Sequence, residues 1–236
     1  MRLAVCQFAP SRDVGANLDV MTSLVKSAAA ADARVVVLQE AAMYACLSPA
    51  AELEEVSEPL DGPFVSALSA TAASADVVLV AGMYESNDHG RPYNTVVAVG
   101  PEGLRAFHRK YMVYDAFGYQ ESDTISVGAP RADVFMADGL KFGLLTCYEV
   151  RFPECARRLV DVGVEAVIMP SAWPLGQGKE DHFRTMIRAR ALENTIYVAV
   201  ASDCSATMVG RSHVIDPLGY QLAGLVSRVV SLLLVG

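Results

Sequence analysis

Long runs of β-branched residues alternate along this chain with stretches of helical periodicity. The runs RVVVLQE, DVVLVAGMYE, VEAVIMP and TIYVAVAS are apolar at successive positions, which predicts strands buried on both faces. Between the strand runs we predict helices over residues 17–31, 63–75, 152–163 and 180–194. This order of elements predicts an α/β fold, arranged as a four-layer α-β-β-α sandwich of two mixed sheets flanked by helices. Periodicity alone does not distinguish that sandwich from a single doubly wound sheet.

Turn residues predict antiparallel hairpins within this alternation. Asp138-Gly139 separates two strand-like segments, the segment 87–94 (NDHGRPYN) joins two others, and residues 217–219 form a turn near the end of the chain. No linker, low-complexity tract or shift in composition divides the 236 residues. We therefore expect one domain that covers residues 1–236.

Charge and apolar patterning argue against several classes of partner. The formal net charge of −8 is unfavourable for binding to nucleic acid or to an anionic membrane. The final apolar run, VVSLLLVG, is too short to span a bilayer, and the first residues show no signal-peptide pattern. We expect a small-molecule substrate and neither nucleic acid nor membrane as a partner.

The cysteines and histidines show no metal-binding pattern. The five cysteines are odd in number and widely spaced, with no CxxC pair, and the four histidines lack the spacing of metal ligands. We expect no metal and no cofactor. Unpaired cysteines are typical of a reducing compartment, so we expect a cytoplasmic protein.

Cys147 is the strongest candidate for a reactive residue. It ends the apolar run KFGLLTC and precedes YEVRFPE, a segment with a proline that is typical of a helix start. At such a strand-to-helix elbow a thiol lies close to backbone N–H donors. The alternatives are a buried structural cysteine and a cysteine–histidine pair, although no papain-like or caspase-like signature is present.

Glu40 and Lys110 are candidates for the charged groups that a reactive thiol needs. Glu40 follows a buried strand, where a partly desolvated carboxylate can serve as a general base. Lys110 ends the strand-like segment LRAFHRK, and its ammonium could stabilise an oxyanion or lower the pKa of a thiol. Considered alone, each is more simply a solvated residue at the end of a strand.

Three segments together resemble the nitrilase superfamily of carbon–nitrogen hydrolases. They are LQE, HRKYMVYDAFGYQES and LLTCYEVRFPE, in this order. Three later segments continue the resemblance, so that it covers nearly the whole chain: VEAVIMPSAWP, DHFRTMIRARALENTIYV and GRSHVIDPLG. The segments DAFGYQES and CYEVRFPE are most similar to the branch of omega-amidases and deaminated-glutathione amidases.

The resemblance implies a role for each chemical group. Cys147 would be the nucleophile and Glu40 the general base that removes its proton. Lys110 and the backbone N–H of Tyr148 would hold the oxyanion, and Glu121 would orient Lys110 and the substrate. The match at Glu121 runs through a loop of variable length.

Further residues near the motifs have expected structural roles. Tyr44, Phe117 and Trp173 are candidate walls of the substrate pocket, with core packing as the alternative for each. Glu149 and Arg151 are expected to brace the elbow through ion pairs rather than to contact the substrate.

The resemblance implies hydrolysis of a small carboxylate-bearing amide through a cysteine thioester. The alternatives are hydrolysis of a nitrile or an N-carbamoyl compound at the same residues, and a degenerate relative that serves as a binding or scaffold protein. A homodimer or a higher homo-oligomer is expected. Many relatives carry a longer segment after the position of Gly219, so we expect the segment ending at Gly236 to alter oligomerisation or to leave it to another interface.

Overall fold

The computed structural model describes residues 1–88, 90–226 and 231–236. Asp13 caps the first helix by accepting the N–H of Ala16 at 2.9 Å, and Pro63 and Pro153 begin two later helices, where a missing N–H costs nothing. The helices of the described residues are α1 (Val14–Ala30), α2 (Ala50–Val56), α3 (Pro63–Ala75), α4 (Pro153–Val160) and α5 (Lys179–Asn194).

The first large sheet contains six strands of the described residues. They are β1 (Leu3–Gln7), β2 (Val35–Val37), β3 (Val78–Asn87), β4 (Gly90–Gly100), β5 (Gly103–Arg109) and β14 (Ser231–Val235). Their order across the sheet is β14-β1-β2-β3-β4-β5. β1, β2 and β3 are parallel, whereas β4, β5 and β14 run antiparallel to their neighbours.

The second large sheet also contains six strands of the described chain. They are β8 (Val134–Ala137), β9 (Leu140–Leu144), β10 (Ala166–Ser171), β11 (Tyr197–Ser202), β12 (His213–Ile215) and β13 (Gln221–Gly224). Their order is β13-β12-β11-β10-β9-β8, with β9, β10 and β11 parallel and the outer strands antiparallel. A small hairpin, β6 (Asp115–Ala116) and β7 (Tyr119–Gln120), lies apart from both sheets.

Three apolar cores separate four layers. Residues from both sheets, among them Val5 and Ile168, form the core between the sheets. A second core packs the first sheet against α1 and α3, and a third packs the second sheet against α4 and α5. Neighbouring strand residues such as Ala4 and Val5 face different cores, which explains why the strand runs are apolar at successive positions. The predicted four-layer sandwich is confirmed.

The structure adds elements that the sequence pattern did not predict. The helix α2 is seven residues long and buries only Leu53 fully, so its apolar period is too short to recognise. The predicted hairpins at Asp138-Gly139 and at residues 217–219 are confirmed. The strands β3 and β4, which the segment 87–94 joins, pair antiparallel. Residue 89 in that segment lies outside the described residues. Of the final apolar run, residues 229–230 also lie outside them, and 231–235 form β14. Among the described residues, no helix has both the length and the apolar character to cross a membrane.

The strand ends bring four separated chain segments to one edge of the sandwich. Glu40 follows β2, Lys110 follows β5, Cys147 follows β9 and Ala172 follows β10. Each position lies at or just beyond the carboxyl end of a strand, the place where α/β folds bind ligands.

Candidate active site

Cys147 lies in a strained turn directly after a buried strand. Its φ angle is 43°, in the left-handed region that non-glycine residues rarely adopt, and its surface is 5% exposed. It begins a 3-10 turn that ends at Arg151. The turn is held by a capping box in which the backbone N–H of Thr146 donates to Glu149 Oε2 at 2.7 Å. The predicted elbow is therefore present, and its strain is of the kind found at functional sites.

Lys110 joins two buried carboxylates. Its Nζ donates to Glu40 Oε1 at 2.7 Å and to Glu121 Oε1 at 2.9 Å. The amide of Asn94 donates to the same two carboxylates, at 2.8 and 3.2 Å, and the backbone N–H of Ala172 donates to Glu40 Oε2 at 2.7 Å. Lys110 is 2% exposed, so the alternative of a surface lysine does not describe it.

Burial and charge fix the protonation of the thiol and the ammonium. Burial, and then the charge of Glu40, raise the pKa of Cys147 well above its usual value, and Lys110 only partly opposes this. Burial by itself lowers the pKa of Lys110, but Glu121 and Glu40 more than offset it and raise that pKa well above the ordinary value. The site therefore holds a protonated thiol beside a charged lysine, with Glu40 close enough to hydrogen-bond the thiol.

A buried ion pair ties the lysine segment to the cysteine elbow. His108 Nε2 lies 2.8 Å from Glu149 Oε2, and His108 Nδ1 lies 3.0 Å from Asp133 Oδ2. Burial alone lowers the pKa of His108, but the two carboxylates raise it to about 9. The backbone N–H of Tyr111 donates to Glu149 Oε1 at 3.0 Å. Since Glu149 also accepts from Thr146, one carboxylate holds the residues that flank the lysine and the thiol.

A cavity that is open to solvent lies over these groups. All five cysteines are free thiols, and two of them are in its wall. Within residues 1–88, 90–226 and 231–236, no three His, Cys, Asp or Glu side chains are gathered in the way that metal ligands are. The lining residues are Glu40, Cys46, Leu47, Lys110, Tyr114, Tyr119, Glu121, Cys147, Tyr148, Ala172, Trp173, Pro174 and Lys179.

Comparison with known proteins places the chain in one family. The family model described as carbon-nitrogen hydrolase matches residues 2–233. The chain belongs to this family. It is a hydrolase that acts on carbon–nitrogen bonds other than peptide bonds.

Named relatives of this carbon–nitrogen hydrolase include two amidases. It is 33% identical to the deaminated glutathione amidase of Escherichia coli O157:H7, over 94% of this chain and 85% of the relative. It is 36% identical to the omega-amidase NIT2 of Danio rerio, over 92% of this chain and 81% of the relative. Saccharomyces cerevisiae Nit3, a member of branch 10 of the nitrilase superfamily, superimposes with a TM-score of 0.88 at 27% identity, covering 100% of this chain and 89% of that one.

Among the three predicted pocket walls, only Trp173 lines the cavity of the hydrolase. Tyr44 lies outside it, packed in a separate apolar cluster, where its hydroxyl donates to Glu52 at 3.0 Å. Phe117 is 68% exposed, and its ring centroid lies 6.3 Å from that of Tyr114 and 4.9 Å from Lys179 Nζ. The sequence near a motif does not show on which side of the backbone an aromatic ring lies. For Tyr44 the alternative expectation, packing in an apolar core, is the one that the structure supports.

The expected ion pairs of the elbow are half correct. Glu149 does brace the elbow, with His108 as its partner. The expectation for Arg151 is wrong: among the described residues no carboxylate lies within 4 Å of its guanidinium. Its Cζ instead lies 5.0 Å from the centroid of the Trp173 ring and 5.3 Å from that of Phe117.

Five polar residues of the site were not predicted from the sequence. Asn94 bonds both carboxylates, while Cys46, Tyr114, Tyr119 and Lys179 line the cavity. The aromatic-rich segment YMVYDAFGY could have suggested Tyr114. Asn94 and Cys46 carry no local signal, because only the packing of distant segments brings them to the cavity.

Gly82 leaves room for the backbone that carries Glu40. A Cβ at Gly82 would lie 1.4 Å from the carbonyl oxygen of Glu40. We expect Gly82→Ala to displace Glu40, to lower kcat/KM by about 10²-fold or more, and to destabilise the protein by about 1–3 kcal/mol. Steady-state kinetics and urea unfolding measure both effects. Gly15→Ala, in the exposed first turn of α1, is the matched control and should keep full activity; equal behaviour of the two variants would contradict the prediction.

The charge of His108 should make stability depend on pH. The pKa of His108 is raised from 6.5 to about 9 in the folded protein, so its contribution is complete below pH 6.5 and is lost as the pH rises towards 9. The full contribution is about 3 kcal/mol, because a pKa difference of one corresponds to about 1.36 kcal/mol. Urea unfolding of wild type and His108→Gln between pH 6 and 9.5 measures it. We expect the stability difference between the two proteins to shrink across this window; a constant difference would show that His108 is neutral in the fold.

Proposed function

We propose that this hydrolase converts a small carboxylate-bearing amide to the acid and ammonia through a thioester on Cys147. The observation that carries the proposal is the buried lysine that bonds two carboxylates beside a strained cysteine. The names of the amidase relatives support the choice of an amide. We propose that residues 1–236 form a single domain. The apolar core to which both sheets contribute supports this.

The first half-reaction forms the thioester. Glu40 removes the proton from the Cys147 thiol as the sulfur attacks the amide carbonyl carbon, since the raised pKa of that thiol leaves little free thiolate. Lys110 Nζ and the backbone N–H of Tyr148 hold the oxyanion of the tetrahedral intermediate. Protonated Glu40 then gives its proton to the nitrogen, the C–N bond breaks and ammonia leaves.

The second half-reaction releases the acid. Glu40, again a carboxylate, removes a proton from water as the water oxygen attacks the thioester carbonyl carbon. The C–S bond breaks, and the proton on Glu40 returns to the sulfur. The enzyme regains its starting state, and each proton taken by Glu40 has been given back.

Glu121 keeps Lys110 charged and in place while Glu40 is protonated. Its Oε1 accepts from Lys110 at 2.9 Å and its Oε2 accepts the backbone N–H of Tyr114. Lys110 therefore retains one carboxylate partner in every step. This is the orienting role proposed for Glu121.

A panel of substrates tests the proposed function. Ammonia release is measured with wild type and Cys147→Ala for monoamides of dicarboxylic acids, neutral amides, nitriles and N-carbamoyl amino acids. We expect wild type to be most active on the monoamides and Cys147→Ala to be folded and inactive. Activity confined to nitriles or N-carbamoyl compounds would replace the amide proposal, and no activity on any of them would support a non-catalytic relative.

A cytoplasmic homodimer is part of the proposal. It rests on the family resemblance and on the five free thiols, which suit a reducing compartment. Sedimentation equilibrium of the 25.2 kDa chain measures the oligomeric state. A monomer at all concentrations would overturn this part of the proposal and leave the chemistry untouched.

A further inference from the structure

A second lysine, Lys179, lies in the wall of the active-site cavity without an acidic partner. It is 7% exposed. Its Nζ donates to the hydroxyl of Tyr114 at 2.8 Å, and among the described residues no carboxylate oxygen lies within 4 Å of it. Lys110, in contrast, bonds two carboxylates in the same cavity. An ammonium has three donors, so Lys179 can bind an anion without losing Tyr114.

The position of Lys179 is unfavourable for a lysine in local terms. It is the first residue of α5, where the helix dipole favours negative charge and opposes positive charge. Its backbone carbonyl accepts the indole N–H of Trp173 at 2.9 Å, which fixes this helix end against the cavity. A residue that breaks a local preference at a buried site is expected to have a function there.

A second cation adds to the positive charge at this side of the cavity. Arg151 Cζ lies 5.0 Å from the centroid of the Trp173 ring, and Lys179 Nζ lies 5.1 Å from the same centroid. Arg151 Nε and Nη2 are buried and have no hydrogen-bond partner among the described residues. Aromatic rings attract cations but do not neutralise them. Arg151 does not line the cavity, but its charge adds to that of Lys179 and favours an anion at this end of the cavity.

We propose that Lys179, reinforced by the charge of Arg151, binds the carboxylate at the far end of the amide substrate. Lys179 is then the residue that selects monoamides of dicarboxylic acids over neutral amides of the same length. The amide carbonyl lies at Cys147 and the carboxylate at Lys179, which lines another part of the wall of the same cavity. This inference rests on the proposed amide hydrolysis and names the residue that sets its substrate class.

A pair of substrates and a pair of variants test the role of Lys179. The substrates are 4-carbamoylbutanoate and pentanamide, which have the same chain length and differ in a terminal carboxylate or methyl group. Lys179→Met removes the charge and keeps the length of the side chain. Lys26→Met, at an exposed position of α1, makes the same change in net charge far from the cavity.

We expect Lys179→Met to lower kcat/KM for 4-carbamoylbutanoate by about 10²-fold, mainly through KM, because the contact is made equally in the ground state and the transition state. Pentanamide should be hydrolysed within about threefold of the wild-type rate, because it makes no charged contact with Lys179. Lys179→Arg should recover part of the loss, and Lys26→Met should change neither substrate. Equal losses on both substrates, or no loss on either, would overturn the proposal while leaving amide hydrolysis standing.

A binding measurement separates this inference from the proposed function. Glutarate is titrated calorimetrically into Cys147→Ala and into Cys147→Ala/Lys179→Met, with circular dichroism and thermal unfolding to verify that both are folded. We expect glutarate to bind the first protein at least about tenfold more tightly than the second. If wild type hydrolyses no amide, the proposed function fails. In that case, tighter binding of glutarate by Cys147→Ala than by Cys147→Ala/Lys179→Met would still support a carboxylate-binding site at Lys179. Equal binding by the two proteins would overturn the proposal for Lys179 as well.

Discussion

Replacing Lys110 by methionine is expected to abolish amide hydrolysis and to lower the free energy of unfolding by about 3–5 kcal/mol, the usual effect of removing one partner from a buried ion pair. Methionine keeps the length of the side chain but leaves Glu40 and Glu121 buried without a cation. The loss of one oxyanion donor alone lowers kcat by about 10²–10³-fold. Urea unfolding and ammonia release measure the two effects.

A double variant separates the structural effect of Lys110 from its chemical effect. Lys110→Met/Glu121→Gln leaves a single carboxylate, and that carboxylate keeps the hydrogen bonds from Asn94 and Ala172. We expect much of the lost stability to return, because one uncompensated charge has been removed, while activity stays absent. If Lys110→Met were no less stable than Lys26→Met, the buried pair would contribute nothing to folding.

Replacing Glu40 by glutamine is expected to lower kcat for amides by about 10⁴-fold, the upper end of the range for a general acid–base group, because Glu40 transfers a proton in each half-reaction. Glutamine has nearly the same shape as glutamate, so the effect on packing is small. Its amide must nevertheless place an NH₂ group against one of the donors that Glu40 now accepts from, either Ala172 or the pair Lys110 and Asn94.

An activated ester distinguishes the two proton-transfer steps of Glu40. Nitrophenolate leaves without a proton, so acylation by p-nitrophenyl acetate avoids the acid role of Glu40. Burial and then the charge of Glu40 raise the pKa of Cys147, so neutral glutamine should lower that pKa and make thiolate easier to form. Deacylation still needs a base for water.

We therefore expect Glu40→Gln to release one equivalent of nitrophenolate in a burst and to accumulate an acetyl adduct, measured by intact mass. Cys147→Ala is the control and should show neither the burst nor the adduct. Full amide turnover by Glu40→Gln would show that another group is the base.

The elements of the sandwich were largely predictable because their patterns are local. A strand buried on both faces must be apolar at successive positions, and the runs around Val36, Val80, Ile168 and Val200 show this directly. The elbow at Cys147 was predictable for a similar reason, since the end of an apolar run followed by a proline marks the turn. The short helix α2 and the small hairpin β6–β7 were missed because they are too short to have a recognisable period.

The sequence by itself determined the order of strands and helices, because apolar periodicity is a property of neighbouring residues. It also identified Glu40, Lys110 and Cys147 as candidates, because each lies in a short motif and the motifs follow one another in a characteristic order. Only the tertiary structure decided which side chains face one another. Glu40 accepts a hydrogen bond from Ala172, which is 132 residues away, and nothing near either residue indicates that contact. For the same reason Tyr44 lies outside the cavity and Lys179 inside it, because the wall of a cavity is set by the register of distant loops.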